Sequence, residues 1–327
     1  MALPLVLLAH PLPSEWIAML QGRARLLVGP AEPPGFAPHL LEQLDETEGI
    51  LCLLIDRVDR ELVDSAPRLR VVSNMAVGFD NIDVAACTRR GIPVGNTPGV
   101  LTDATADLAM ALLLSAARGL PKAARDARDG LWRTWSPTGW LGADLRGATL
   151  GIIGMGKIGK AVAERARGFG LKLIYTDSKQ LPEAEASFGA QYRLLDDLLG
   201  ESDFISLHCP LTAQTRGSID EAALKKMKPA AILINTARGP IVVHDALVRA
   251  LREGWIRGAA LDVTDPEPLP PDDVLYDLPN CLVVPHIGSA THGTRRRMSE
   301  MACENLLAGL DREKLPNCVN PEVYGIK

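Results

Sequence analysis

Three polar residues stand where strands of an open α/β sheet would end, and together they have the means to reduce a carbonyl. His286 closes the apolar run CLVVPH and is followed by small residues that permit close approach. Glu267 sits between prolines in the loop LDVTDPEP, and Arg238 follows the buried-type run AAILINT. An imidazolium donates a proton to an oxygen as hydride arrives at the carbon, and a nearby carboxylate holds the ring and favours its charged form. A guanidinium at the third position can clamp a carboxylate through two parallel hydrogen bonds, as a 2-oxo acid would require. Each residue alone has an ordinary explanation as a surface charge or a satisfied strand end. Their conjunction points to hydride transfer.

A second pattern supplies a place for the hydride source. Gly154-Met155-Gly156-Lys157-Ile158-Gly159 directly follows an expected strand and opens a helix through Ala161, Ala163 and Ala166. In that context the first glycine permits a tight turn, the second lets backbone approach a pyrophosphate, and the third lets helix and strand pack closely. Unpaired N–H groups at the helix N-terminus then face the phosphates. Asp177 lies just past the next strand, where an acidic residue grips the adenosine ribose and repels a 2′-phosphate, which favours NAD(H) over NADP(H). Lys179, two residues on, is a cation that would partly accommodate that phosphate. The alternative for both is a solvated turn.

Positioning these groups requires parallel sheets. Short apolar runs alternate with helical patterns from end to end, the rhythm of sheets covered by helices on both faces. The early runs are LPLVLL, ARLLVG, GILCLLI and LRVVSNMAV. After a helix over Thr102–Arg118, with Leu108, Leu112 and Ala116 on one face, the rhythm restarts with strands expected at 149–154, 171–176, 203–208, 230–236, 258–263 and 281–286. A last helix is expected over 289–310, with Met298, Met301, Leu306 and Leu310 for packing, before a Pro-rich tail of little periodicity. The expected fold class is α/β, with two Rossmann-like or flavodoxin-like lobes. An NAD(P)-binding domain over 101–290 is inserted into a discontinuous substrate domain formed by 1–100 and 291–327.

Composition narrows the partners. The chain has 327 residues, an apolar share of 47%, 35 Lys+Arg against 40 Asp+Glu and a net charge of -5. That is an ordinary globular composition, without the basic excess of a nucleic-acid binder. Six cysteines, none in a CxxC pair, read as buried thiols in a reducing, cytoplasmic compartment. The opening apolar run lacks a basic flank and is cut by Pro11 and Pro13, so it reads as a strand rather than a signal peptide. The longest apolar stretch, 108–117, is too short for a membrane span. His292, beyond His286, has no spaced ligand pair with it, so no metal is expected.

The strings GMGKIG, NTARG, DVTDPEP and PHIGSATH, in this order and spacing, resemble the D-isomer-specific 2-hydroxyacid dehydrogenase family. The likeness extends to NMAVGFDNID and TDATADLAMALLL and covers nearly the whole chain. Within the family, the wording VTDPEPLP, HIGSATHGTR and NLLAGL is most similar to glyoxylate/hydroxypyruvate reductases. The resemblance implies that Arg238 binds the substrate carboxylate and carbonyl, that His286 is the acid/base and proton donor, and that Glu267 is its partner. It further implies that backbone amides of Val77 and Gly78, with Ser289, hold substrate. Thr105, Met155 to Ile158, Asp177, Pro210, Thr236, Ala237, Arg238, Asp262, His286 and Gly288 then contact a nicotinamide cofactor that gives up hydride from C4. Trp140 resembles a tryptophan that reaches into the neighbouring subunit's active site, its alternative being a buried packing aromatic. The homodimer is expected to form through the helix Thr102–Arg118 and its neighbourhood. NADPH-preferring members carry an arginine in the turn where this chain has Thr176-Asp177-Ser178-Lys179. Phosphite dehydrogenases carry a lysine where Val77 stands. Other readings are a dehydrogenase for a different D-2-hydroxyacid, such as D-lactate or a phosphoglycerate, and an NAD-sensing co-repressor-like binding protein.

Overall fold

The computed structural model describes residues 2–32 and 35–325. The chain divides into two compact units, Met1–Leu101 with Thr291–Lys327, and Thr102–Ala290. In the first unit, β1 (Leu5–Leu8), β2 (Arg25–Val28), β3 (Thr47–Cys52), β4 (Val71–Asn74) and β5 (Val94–Gly95) form a parallel sheet in the order β2-β1-β3-β4-β5. In the second, β6 (Thr149–Ile153), β7 (Lys172–Thr176), β8 (Gln191–Tyr192), β9 (Phe204–Leu207), β10 (Ile232–Asn235), β11 (Gly258–Leu261) and β12 (Cys281–Val283) are also all parallel. Their order is β12-β11-β10-β9-β6-β7-β8. Chain direction across this second sheet reverses between β6 and β9, and ligands of doubly wound sheets bind at the carboxyl ends of strands flanking such a switch point.

The central strands are buried along their length because helices cover both faces. Two strands lie outside the apolar runs in the sequence. β5 and β8 are only two residues long, and Gln191–Tyr192 sits at an edge of its sheet. The run expected to continue to His286 leaves strand geometry after Val283. Pro285 has no N–H to give, and His286 turns out of line with a φ of 50°.

The helix Thr102–Arg118 forms over the expected residues, and the expected face meets the core: Leu112 is buried, and Leu108 and Ala116 pack partly buried against the same cluster. The buried stripe is wider than expected, taking in Ala106, Ala109, Met110, Leu113 and Ala117 as well. The alanines among them let the helix approach Ala161, Val162, Ala163 and Ala166 of the helix Lys157–Gly168 within one core cluster. The last helix runs from His292 to Leu310, three residues shorter at its start than expected, because Thr291 caps it: its hydroxyl accepts from Thr294 N–H at 3.2 Å. Met298, Cys303, Leu306 and Leu310 pack on Val6, Leu8, Leu51 and Val71 of the first sheet.

The tail after that helix is fastened by polar bonds, which periodicity does not reveal. The Asn320 carboxamide accepts from Val94 N–H at 2.8 Å and donates to the Ile92 carbonyl at 3.0 Å and to Thr88 Oγ1 at 2.9 Å. Asn320→Ala would leave buried backbone groups of residues 92 and 94 without partners. It is expected to lower the stability of this unit by about 1–3 kcal/mol in urea unfolding.

Candidate active site

The glycine loop occupies the switch point. Gly154, at a φ of 94°, follows β6, and a Cβ there would stand 2.5 Å from the backbone nitrogen of Cys209, just past β9. A Cβ at Gly159 would lie 2.1 Å from the Gly154 carbonyl oxygen, so only glycine lets this helix seat on the turn. A Cβ at Gly156 would meet nothing within 4 Å. Gly156 is also the N-cap of the helix Lys157–Gly168, whose first turn, carrying Lys157 and Ile158, has no side-chain cap. Open space over uncapped N–H groups is what a pyrophosphate needs, and these residues fit a dinucleotide.

Asp177, after β7, does more than its sequence position indicates. Its Oδ2 accepts from Met155 N–H at 2.8 Å, and its Oδ1 accepts from the Ser178 N–H and hydroxyl at 2.7 and 3.0 Å. The carboxylate thus braces the glycine loop. Lys179 is exposed, as is Pro210, whose carbonyl accepts from Thr215 Oγ1 at 2.6 Å.

At the end of β10, Asn235 organises the turn that presents Arg238. Its buried carboxamide accepts from Ala237 N–H at 3.0 Å and donates to the Arg238 carbonyl at 2.9 Å. Arg238 Nη1 donates to the Ala237 carbonyl at 2.8 Å. Thr236 is buried beside it, 3.4 Å from the Nδ1 of His208, and Ser206 Oγ lies 2.8 Å from the other nitrogen of that ring. The protein packed around His208 pulls its imidazole down to about 3, so it is neutral at neutral pH. Asn235 and His208 were not singled out from sequence, although both end buried strands, the same signal that marked His286.

Asp262 follows β11 and is 2% exposed. Its two carboxylate oxygens accept from Ile287 N–H at 2.6 Å and Gly288 N–H at 2.9 Å, and its carbonyl accepts from His286 N–H at 2.9 Å. Burial pushes this carboxyl above its ordinary value, with the two amide donors pulling the other way. Thr105 Oγ1 donates to the Gly288 carbonyl at 3.2 Å, closing the turn from the other side. The turn holds His286 so that its Nδ1 is hydrogen-bonded to Glu267 Oε1. A carboxylate only accepts, so Nδ1 carries the proton and Nε2 is the nitrogen left to meet a ligand. No partner takes Nε2 among the described residues, and the two side chains are 23% and 28% exposed. Ser289, next in the turn, is partly buried.

Val77 and Gly78 lie in the other unit, in the loop after β4. Their carbonyls accept from Asn96 Nδ2 at 2.8 Å and Asn74 Nδ2 at 2.9 Å. Trp140 is 41% exposed and so is not a buried packing aromatic. Its φ is 52°, and its Nε1–H donates to Asp126 Oδ2 at 2.8 Å. Bonds from Lys122 and Trp140 hold the Asp126 carboxyl below the usual carboxylate range. Leu131, Trp132, Trp135 and Leu141 stand exposed in the same segment.

No cluster of His, Cys, Asp or Glu among the described residues could hold a metal. The six cysteines are free, but only Cys52, Cys87 and Cys303 are buried; Cys209 after β9, Cys281 in the edge strand β12 and Cys318 in the tail are partly exposed. Desolvation pushes the thiols of Cys87, Cys281 and Cys303 up to about 12, away from nucleophilic use. No helix among the described residues is long and apolar enough to cross a membrane.

The D-isomer specific 2-hydroxyacid dehydrogenase NAD binding domain family matches residues 110–288. The chain belongs to this family and is an NAD(P)-dependent oxidoreductase. It is 47% identical over 325 residues to a glyoxylate reductase of Korarchaeum cryptofilum, covering 99% of this chain and 98% of that one. A solved structure from Thermus thermophilus matches with a TM-score of 0.89 and 46% identity, over 96% of this chain and 99% of that one. The NADPH-dependent glyoxylate/hydroxypyruvate reductase of Sinorhizobium meliloti, solved with NADP and malonate, matches with a TM-score of 0.85 and 32% identity, over 98% of each chain.

The glycine loop makes one expectation sharp. Gly159→Ala forces the helix off the turn and should weaken NADH binding by at least about tenfold, read by quenching of protein fluorescence.

Proposed function

We propose that this protein reduces small 2-oxo acids to 2-hydroxy acids, with glyoxylate and hydroxypyruvate foremost. The observation that carries the reading is the His286–Glu267 pair, with Nδ1 engaged and Nε2 without a protein partner among the described residues. A nicotinamide dinucleotide, when bound, supplies the hydride. His286 donates the proton to the carbonyl oxygen from Nε2, and Glu267 keeps the ring oriented and stabilises the imidazolium. Arg238 binds the substrate carboxylate and polarises the carbonyl, while the Val77 and Gly78 amides and Ser289 contribute further contacts. The relatives named glyoxylate reductase support this substrate class.

The unit Thr102–Ala290 is the cofactor domain in this reading, and the unit formed by the two chain ends is the substrate domain. Thr105, the glycine loop, Asp177, Pro210, Thr236, Ala237, Arg238, Asp262, His286 and Gly288 serve the cofactor. Asp177 favours NADH, since its carboxylate repels a 2′-phosphate and no arginine follows it in the turn. Lys179 leaves NADPH accessible as a second donor.

The protein works as a homodimer in the cytoplasm, a compartment that suits six free thiols. The helix Thr102–Arg118 uses its apolar face within its own unit. The surface offered to a second copy is therefore the following segment, where Leu131, Trp132, Trp135, Trp140 and Leu141 are exposed. Trp140 reaches into that neighbour.

The test follows NADH and NADPH oxidation with glyoxylate, hydroxypyruvate, pyruvate and phenylpyruvate in turn. Turnover should be highest with one of the first two. Cofactor binding without turnover of any of the four would sink the reading and favour a nucleotide-sensing protein.

A further inference from the structure

Three consecutive carbonyls in the loop after β4 are tied back into their own unit. Thr97 N–H donates to the Ala76 carbonyl at 2.9 Å, Asn96 Nδ2 to the Val77 carbonyl at 2.8 Å, and Asn74 Nδ2 to the Gly78 carbonyl at 2.9 Å. A trans peptide is planar, and its N–H points opposite to its C=O. The bond to Ala76 therefore aims the Val77 N–H, and the bond from Asn96 aims the Gly78 N–H, away from the tethers. Among the described residues neither N–H has a protein acceptor.

Asn96 is itself immobilised. Its N–H donates to the Asn317 carbonyl at 3.2 Å, and its carbonyl accepts from Asn305 Nδ2 at 2.9 Å. Asn305 is fully buried on the helix His292–Leu310, and its Oδ1 accepts from Asn317 N–H at 3.0 Å. A buried carboxamide thus fixes the backbone of residue 96, whose side chain in turn fixes one peptide plane of the substrate-side loop. The glycine at 78 offers little resistance to rotation of that plane. Untethered, the Val77–Gly78 peptide is free to present its carbonyl oxygen where an anion needs an N–H.

We propose that Asn96 is a positioning residue for the substrate carboxylate, setting the Val77–Gly78 peptide plane so that the Gly78 N–H is pre-aimed at the anion. This rests on the reading that the Val77 and Gly78 amides hold that carboxylate. Asn96 acts through the loop and does not touch the substrate. Its effect is confined to the acid, because the cofactor's residues belong to the other unit.

The test compares the wild-type chain with Asn96→Ala and the near-isosteric Asn96→Asp. Each is measured for thermal unfolding, NADH affinity by fluorescence, kcat and KM with glyoxylate, and inhibition by oxamate. Loss of one amide donor to an anion predicts that KM and the oxamate inhibition constant rise together by about 10- to 100-fold. NADH affinity should be unchanged and kcat little altered. Asn96→Asp keeps the side-chain volume and replaces the donor with an acceptor that the Val77 carbonyl repels, so it carries the test if Asn96→Ala does not fold. Folded variants with unchanged KM and inhibition constant overturn the proposal. So does loss of NADH affinity in step with KM, or failure of both variants to fold, since either marks a general structural role. A wild-type chain inactive on every 2-oxo acid overturns the underlying reading as well, whereas an active wild type with indifferent Asn96 variants overturns this inference alone.

Discussion

The chemistry proposed for the unit Thr102–Ala290 depends on how the buried carboxylate of Asp262 grips the turn after β12. Two amide donors, from Ile287 and Gly288, meet its two oxygens, and the preceding amide of His286 bonds its carbonyl. Removing a carboxylate from water costs several kcal/mol, and charge-assisted hydrogen bonds return about 1.5–3 kcal/mol each. Burial raises the Asp262 pKa, against the pull of the two amide donors. The return for that cost is geometry: the turn holds His286 at a φ of 50°, with its ring against Glu267. A non-glycine residue in that backbone region is costly, so it persists only where the surroundings determine it.

The same device recurs in the other loops proposed to receive an anion. Asp177 braces the glycine loop from one side, leaving the helix N–H groups over open space. Asn235 shapes the turn bearing Arg238, and Asn96 and Asn74 tie down the carbonyls of Val77 and Gly78. In each case a side chain takes up one polar edge of a turn so that its other edge is available. This reconciles a chain of net charge -5 with an anionic substrate and a diphosphate. Local positive potential comes from oriented amides and a few cations rather than from net charge.

Long apolar strands were legible in the sequence because burial on both faces leaves an unbroken run, and β6, β7, β9, β10 and β11 lie within the expected segments. Strands β5 and β8 were not, because two residues bonded to one neighbour leave no hydrophobic signature. The helix Thr102–Arg118 shows its core-facing leucines in the sequence, but the small residues Ala106, Ala109 and Ala117 that widen the buried stripe carry little hydrophobic signal of their own. For the site, the glycine motif and the histidine, glutamate and arginine were visible as residue types at strand ends, and the structure brings His286 and Glu267 into contact. The supporting asparagines and the bracing role of Asp177 were invisible. They act through backbone groups that pattern does not encode, and Asn74, Asn96, Asn305 and Asn317 meet only after the chain folds.

The central claim is that His286 and Glu267 act as one unit on the reacting carbonyl. A double-mutant cycle of His286→Gln and Glu267→Gln, read as kcat/KM for glyoxylate reduction at fixed NADH, tests it most directly. If the pair works as a unit, the histidine variant alone should lose nearly as much as the double variant, because Glu267 has nothing left to orient. Losses that multiply across the two sites would contradict the account.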